Sequence, residues 1–206
     1  MISQTRIQYI DIAKGIGIIL VAVGHCPQIY APLKSLIYAF HMPLFFIISG
    51  IVWDKASHEK KGYLTRNFVF GKIKRLILPC YIWGTIYLII STVINHNKPS
   101  VLSFAYLLYG SHYGFISSGS LSSLWFLTCM FLTVCGFELV QMLLKNKKSK
   151  IPIVVLFVVF MFIGYVLPHY SVGYPWCLDV SFIAAAFMLL GNLARQIRQE
   201  RERERA

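Results

Sequence analysis

Apolar residues along this chain come in long runs separated by short polar interruptions, without the strict alternation of a half-buried strand. Runs of about 17–25 residues match the length an α-helix needs to cross roughly 30 Å of hydrocarbon. They predict spans over residues 7–24, 36–53, 76–94, 121–144, 151–167 and 176–194. A further stretch, 101–118, begins with "VLSFAYLLYG" and runs into the Gly/Ser-rich "GFISSGS". It is too short an apolar run for a span and is expected to form a re-entrant or interfacial helix. The predicted architecture is all-α: a polytopic transmembrane helix bundle of about six spans, with a membrane-embedded domain over 1–194 and a charged tail over 195–206.

The charges support that count. With six spans, the N-terminus and the segments 54–75, 145–150 and 195–206 share one side. That side then carries 18 of the 20 Lys and Arg residues, leaving Lys34 and Lys98 opposite. Basic residues concentrate in cytoplasmic loops, so both termini are expected in the cytoplasm. If 101–118 crossed as well, "KNKKSK" and the arginine-rich tail would move outside. The net charge of +12 is thereby explained as topology, without nucleic acid as a partner.

Composition agrees: 57% of residues are hydrophobic and 14% charged, where a soluble domain carries about 25% charge. The five cysteines Cys26, Cys80, Cys129, Cys135 and Cys177 stand singly in or beside apolar runs, with no metal-ligand spacing. They read as packing residues, and no metal site is expected. The first apolar run is expected to stay uncleaved. A signal-peptide site needs small residues where His25 stands, and Asp11 and Lys14 interrupt the run.

That run, "DIAKGIGIILVAVGHC", holds a lysine and a histidine around ten uncharged residues. Lys14 and His25 are eleven positions apart, about three helical turns, so they share one face and stand roughly 16 Å apart along the axis. An ionisable group in a span is costly and usually faces a polar cavity, so this stripe suits a shaft between the two sides. The alternative is that Lys14 snorkels to the headgroups beside Asp11 and that His25 merely ends the helix before Pro27. In "FHMPLFFIISG", His41 precedes Pro43 near the end of the next span on the same side as His25, so the two histidines are candidates for neighbours. Pro43 frees a backbone carbonyl or marks a kink, and Gly15, Gly17 and Gly24 permit close helix packing. In "RNFVFGKIKRLILPCYIW", Lys72, Lys74 and Arg75 precede a span, with Lys72 and Arg75 on one face. They form either an anion site at the membrane surface or an ordinary topology signal.

In order, "DIAKGIGIILVAVGH", "FHMPLFFIISG", "KIKRLILPCYIW", "LWFL" at 124–127 and "YPWCLDVSFIAAAFMLLG" at 174–191 resemble the acyltransferase-three family of multi-pass membrane O-acyltransferases, and are similar to its fucose 4-O-acetylase-like branch. The family's basic residue, ten residues, then histidine falls on Lys14 and His25. Its basic-x-x-Arg element falls on Lys72 and Arg75, where lysine keeps the charge but loses bidentate phosphate geometry. The resemblance implies transfer of an acyl group, usually acetyl, from cytoplasmic acyl-CoA to a hydroxyl of an extracytoplasmic or lipid-linked glycan in a bacterial plasma membrane. Acetyl-CoA or another acyl-CoA would be the donor substrate, with no bound cofactor. It also implies His25 and Lys14 as catalytic residues, with His41, Asp11 and Trp125 around the acceptor and Lys72, Lys74 and Arg75 on CoA. His25 would act as general base or carry the acyl group covalently.

The family's membrane unit usually has about ten spans, against the six expected here. A shortened member is one reading; a homo-oligomer or a partner that supplies the missing spans, with membrane lipids around it, is another. A transporter or flippase would also place His, Lys and Pro-broken helices at depth, though no inverted repeat relates the first and last three spans. A truncated, inactive membrane protein would share every motif. The topology is open to direct measurement. Reporter fusions after Lys60, Lys148 and Arg198 are expected to report cytoplasm, and fusions after Lys98 and Tyr170 the outside. An external report at Lys148 would mean that 101–118 crosses.

Overall fold

The computed structural model describes residues 8–26, 28–95, 101–111, 124–145, 150–167 and 173–205. Among them every regular element is helical, as the uninterrupted apolar runs require. Ile7, Pro27, Lys98, 112–118, 121–123, most of "KNKKSK" and Tyr170 lie outside the described residues. The helices are α1 (Gln8–Gly24), α2 (Ala31–Val52), α3 (Lys55–Lys61), α4 (Arg66–Lys72), α5 (Leu78–Asn95), α6 (Val101–Tyr109), α7 (Trp125–Leu144), α8 (Ile151–Val166) and α9 (Leu178–Glu204). Four helical stretches are long and apolar enough to cross a membrane: Ala31–Val52, Arg66–Ile94, Trp125–Leu144 and Pro175–Glu204. The helices α1 and α8 have 17 and 16 residues. At nine residues, α6 is about 14 Å long, less than half a bilayer core. The chain is an all-α membrane helix bundle, and it divides into two compact units, Met1–Trp53 with Phe187–Ala206, and Asp54–Ala186.

In the first unit α1 packs on α2. A Cβ added at Gly17 would stand 2.9 Å from the Phe45 ring, and one at Gly24 would stand 3.2 Å from Ile37. Gly15 faces open space, so it takes no part in the close packing expected of it. The tightest glycine contact is between α2 and the middle of α9. A Cβ on Gly50 would sit 2.0 Å from the Met188 carbonyl oxygen, and one on Gly191 would sit 2.0 Å from that of Ile47. Backbone meets backbone there, and only hydrogen fits between. The tail expected over 195–206 continues α9 as helix to Glu204. Arg195 donates to the Trp53 carbonyl, and Arg198 donates to the Tyr9 hydroxyl and stacks over its ring.

In the second unit, Asp54 caps α3 through the Ser57 N–H, and Thr65 caps α4 through the Phe68 N–H, each satisfying a donor that a helix start leaves open. Between α4 and α5 the helix widens into a π turn, Ile73–Ile77, closed by the Leu78 N–H on the Ile73 carbonyl. Pro79 explains the widening. It has no N–H for the carbonyl four residues back and its ring crowds that carbonyl, so the turn before it opens. The helical stretch from Arg66 to Ile94 has 29 residues, about 43 Å. That exceeds the hydrocarbon core, so its cationic first part projects beyond the apolar span that begins near Leu76. Buried Cys80, Leu88 and Leu107 form an apolar cluster between α5 and α6. The end of α6 is tied by hydrogen bonds from Thr128 and Trp176 to the carbonyls of Gly110 and Leu108.

The α2–α9 crossing generates a sign test. In an open helix position Gly→Ala gains about 1 kcal/mol from propensity. At Gly50 or Gly191 the methyl meets a backbone oxygen that cannot swing away, and overpacking costs about 1–3 kcal/mol. Thermal unfolding in detergent is expected to show Gly191→Ala and Gly50→Ala less stable than the parent, and Gly15→Ala equal to it or more stable.

Candidate active site

The first unit brings the two histidines onto one aromatic ladder. His25 stands one residue past the end of α1, exposed, with Nδ1 2.7 Å from the Val21 carbonyl oxygen. A carbonyl oxygen only accepts, so Nδ1 carries the proton and, in the neutral ring, Nε2 carries the lone pair. The His25 ring lies 5.9 Å from that of Tyr38, edge to face, and Tyr38 lies 5.2 Å from His41. The Tyr38 hydroxyl donates to the Gly24 carbonyl at 3.1 Å, tying α2 to the turn that holds His25. The ammonium of Lys34 sits 5.8 Å over the same ring. His41 repeats the His25 pattern, its Nδ1 2.6 Å from the Ile37 carbonyl, but it is 1% exposed. It is therefore buried, with its ring against that of Tyr38. Three turns below His25, Lys14 is half-buried on α1, with Asp11 half-buried one turn further on.

The second unit places a basic cavity of about 520 Å³ between α3 and the start of the long helix, lined among others by His58, Lys61, Thr65, Phe68, Lys72 and Arg75. Lys72 and Arg75 do share a face, as the spacing predicts. Lys74 is exposed and is not among the cavity's lining residues. The Lys72 ammonium lies 5.3 Å over the Phe68 ring, and the His58 ring meets the same Phe68 edge to face at 5.7 Å. Beneath them Glu138 of α7 is 1% exposed, and its Oε1 lies 2.5 Å from His58 Nδ1. Burial, with Glu59 and Glu138 near, pushes the Tyr63 hydroxyl above its ordinary range, so it remains a donor at neutral pH. Three cations and an imidazole around one cavity suit a phosphate-bearing ligand. Trp125 is placed differently: its ring packs against the apolar cluster around Cys80, Leu88 and Leu107.

Tyr38, His58 and Glu138 escape the sequence reading. An acid in the middle of an otherwise uncharged span, "CGFELVQ", was the available signal for Glu138. The cysteines are free, with Cys80, Cys129 and Cys177 buried as expected and Cys26 exposed beside His25. Among the described residues there is no cluster of His, Cys, Asp or Glu able to hold a metal ion.

These features describe a membrane helix bundle with an imidazole at one helix end and a cavity lined by basic side chains at the start of another helix. The chain belongs to the acyltransferase-three family: the family model described as an acyltransferase domain matches residues 7–206. It is also 38% identical over 89 residues to the nodulation protein NolL of Mesorhizobium japonicum, a match covering 37% of this chain and 22% of that protein. The chain thus aligns with under a quarter of that relative's length. No solved structure matches.

Tyr38→Phe keeps the ladder but leaves the Gly24 carbonyl without its donor. It is expected to cost about 1 kcal/mol of stability, read by thermal unfolding in detergent, and to broaden the His25 imidazole resonances as the helix end loosens.

Proposed function

We propose that this chain is a membrane O-acyltransferase that takes an acyl group, in the first instance acetyl, from cytoplasmic acyl-CoA and transfers it to a hydroxyl of an extracytoplasmic or lipid-linked glycan. Family membership supports the reaction class. The observation that carries the reading is the exposed imidazole of His25, held at the end of α1 by its Nδ1–H on the Val21 carbonyl at 2.7 Å. In the proposed step the acceptor hydroxyl gives its proton to Nε2 as its oxygen attacks the thioester carbonyl. The C–S bond then breaks, and the thiolate leaves and recovers the proton. An imidazole suits this because it exchanges protons near neutral pH. Lys14, on the same stripe, supplies a positive charge below it. Tyr38 and His41 hold the ring and shape the acceptor side. The basic cavity around Lys72 and Arg75 takes the CoA phosphates, and both termini are cytoplasmic.

The experiment is transfer of labelled acetyl from acetyl-CoA to envelope glycan in membranes. A positioned base contributes roughly 10²–10⁴-fold to rate, so His25→Ala is expected to abolish detectable transfer with insertion and donor binding kept. His41→Ala should lower it less, and Lys14→Arg should retain much of what Lys14→Ala loses. Arg75→Ala is expected to weaken CoA binding by about 1–3 kcal/mol, the worth of a charge-assisted hydrogen bond. Full transfer by His25→Ala would remove the catalytic claim.

A further inference from the structure

Glycine is a poor choice inside a helix, because it gives up helix propensity for a freedom that the helix does not use. Elsewhere in this chain the reason for one is visible. Gly50 and Gly191 admit a partner's backbone, and Gly84 admits the Leu107 side chain. Gly71, next to last in α4, has no such reason: its backbone is not left-handed, and a Cβ built there would meet nothing within 4 Å. What it borders is the basic cavity, on one helical stripe with Phe68, Lys72 and Arg75. A side chain in a helix leans back over the turn before its own Cα. Any residue larger than glycine at position 71 would therefore fill the cavity over Asn67 and Phe68, which line it too.

The cavity measures about 520 Å³, within the roughly 300–1,000 Å³ of sites that enclose whole small molecules. Lys61, Lys72 and Arg75 on its walls are enough to hold a phosphate group. The bare wall at Gly71 matters only when something bulkier is attached to that phosphate. We infer that Gly71 is a specificity-determining position of the cavity: its missing side chain leaves room over Asn67 and Phe68 for the bulky part of a phosphate ester, so the site takes a nucleotide in preference to a bare phosphate. This deepens the donor reading above and rests on it for the identity of the nucleotide as CoA.

The test is binding of adenosine 3′,5′-bisphosphate, inorganic pyrophosphate and CoA to the purified full chain in detergent, with thermal unfolding measured alongside. The parent is expected to bind the bisphosphate more tightly than pyrophosphate. Alanine and leucine are both better helix formers than glycine, so Gly71→Ala and Gly71→Leu should unfold at the parent's temperature or above it. Gly71→Leu should nevertheless lose about tenfold or more in bisphosphate affinity, as overpacking against a ligand requires, while pyrophosphate stays within about twofold. Gly71→Ala should fall between parent and leucine, and it carries the test if the leucine variant fails to insert. Arg75→Ala should weaken both probes. Parent-like bisphosphate binding by Gly71→Leu overturns the inference, and so does an equal loss of both probes, which would mean a disturbed helix. Bisphosphate binding that shows the size dependence, without CoA binding, would sink the donor reading and leave the nucleotide site standing. No binding of any probe by the parent sinks both. In nanodiscs, displacement of the bisphosphate by phosphatidic acid that Gly71→Leu leaves unchanged would assign the cations to a lipid headgroup and overturn the role of Gly71.

Discussion

In a chain this apolar, every charge must either reach water at a helix end or be matched where it is buried, because the bilayer interior offers no third option. That constraint arranges the rest. It leaves 18 cations on one predicted side of the membrane and makes the Arg66–Ile94 stretch longer than a span, so that its basic start has somewhere to be. It sets Lys55 on the open carbonyl of Lys145 at the end of α7. Among the described residues, Glu138 is buried within an apolar helix and is met there by an imidazole from a neighbouring helix.

The two candidate regions were partly legible in sequence because each contains a periodic pair. Lys14 and His25 fall on one stripe by spacing alone, and Lys72 and Arg75 by a three-residue step. Their neighbours were not legible, because they come from contacts between helices. Tyr38 joins His25 to His41 only when α1 and α2 pack at Gly17 and Gly24. His58 sits in a polar stretch full of lysines, where nothing in the pattern separates a cavity residue from a solvated one. The position of Lys74 shows the converse: a basic residue between two pocket residues faces away because helical geometry turns it out.

The fold was legible wherever hydropathy decides. All six predicted spans have helices over their described residues, and the described part of 101–118 holds the nine-residue helix α6. The charged end of the chain reads in sequence only as a charged tail, and hydropathy does not register that Arg195 and Arg198 tie it to Trp53 and Tyr9. The Gly50–Gly191 crossing was hidden for a related reason. Both glycines sit at the ends of apolar strings that fit any lipid-facing helix, and only the partner's backbone reveals what they permit.

The π turn before Pro79 also sets orientation. One residue in an α-helix advances its face by 100°, so a turn that holds an extra residue rotates everything before it against everything after it. The helix is thereby indexed twice: the exposed apolar side of α5 obeys one register and the cavity-lining side of α4 another. A straight helix would have to compromise between the two, since a single phase would fix both. Here the direction in which the cations point can be changed without disturbing how the span meets its neighbours.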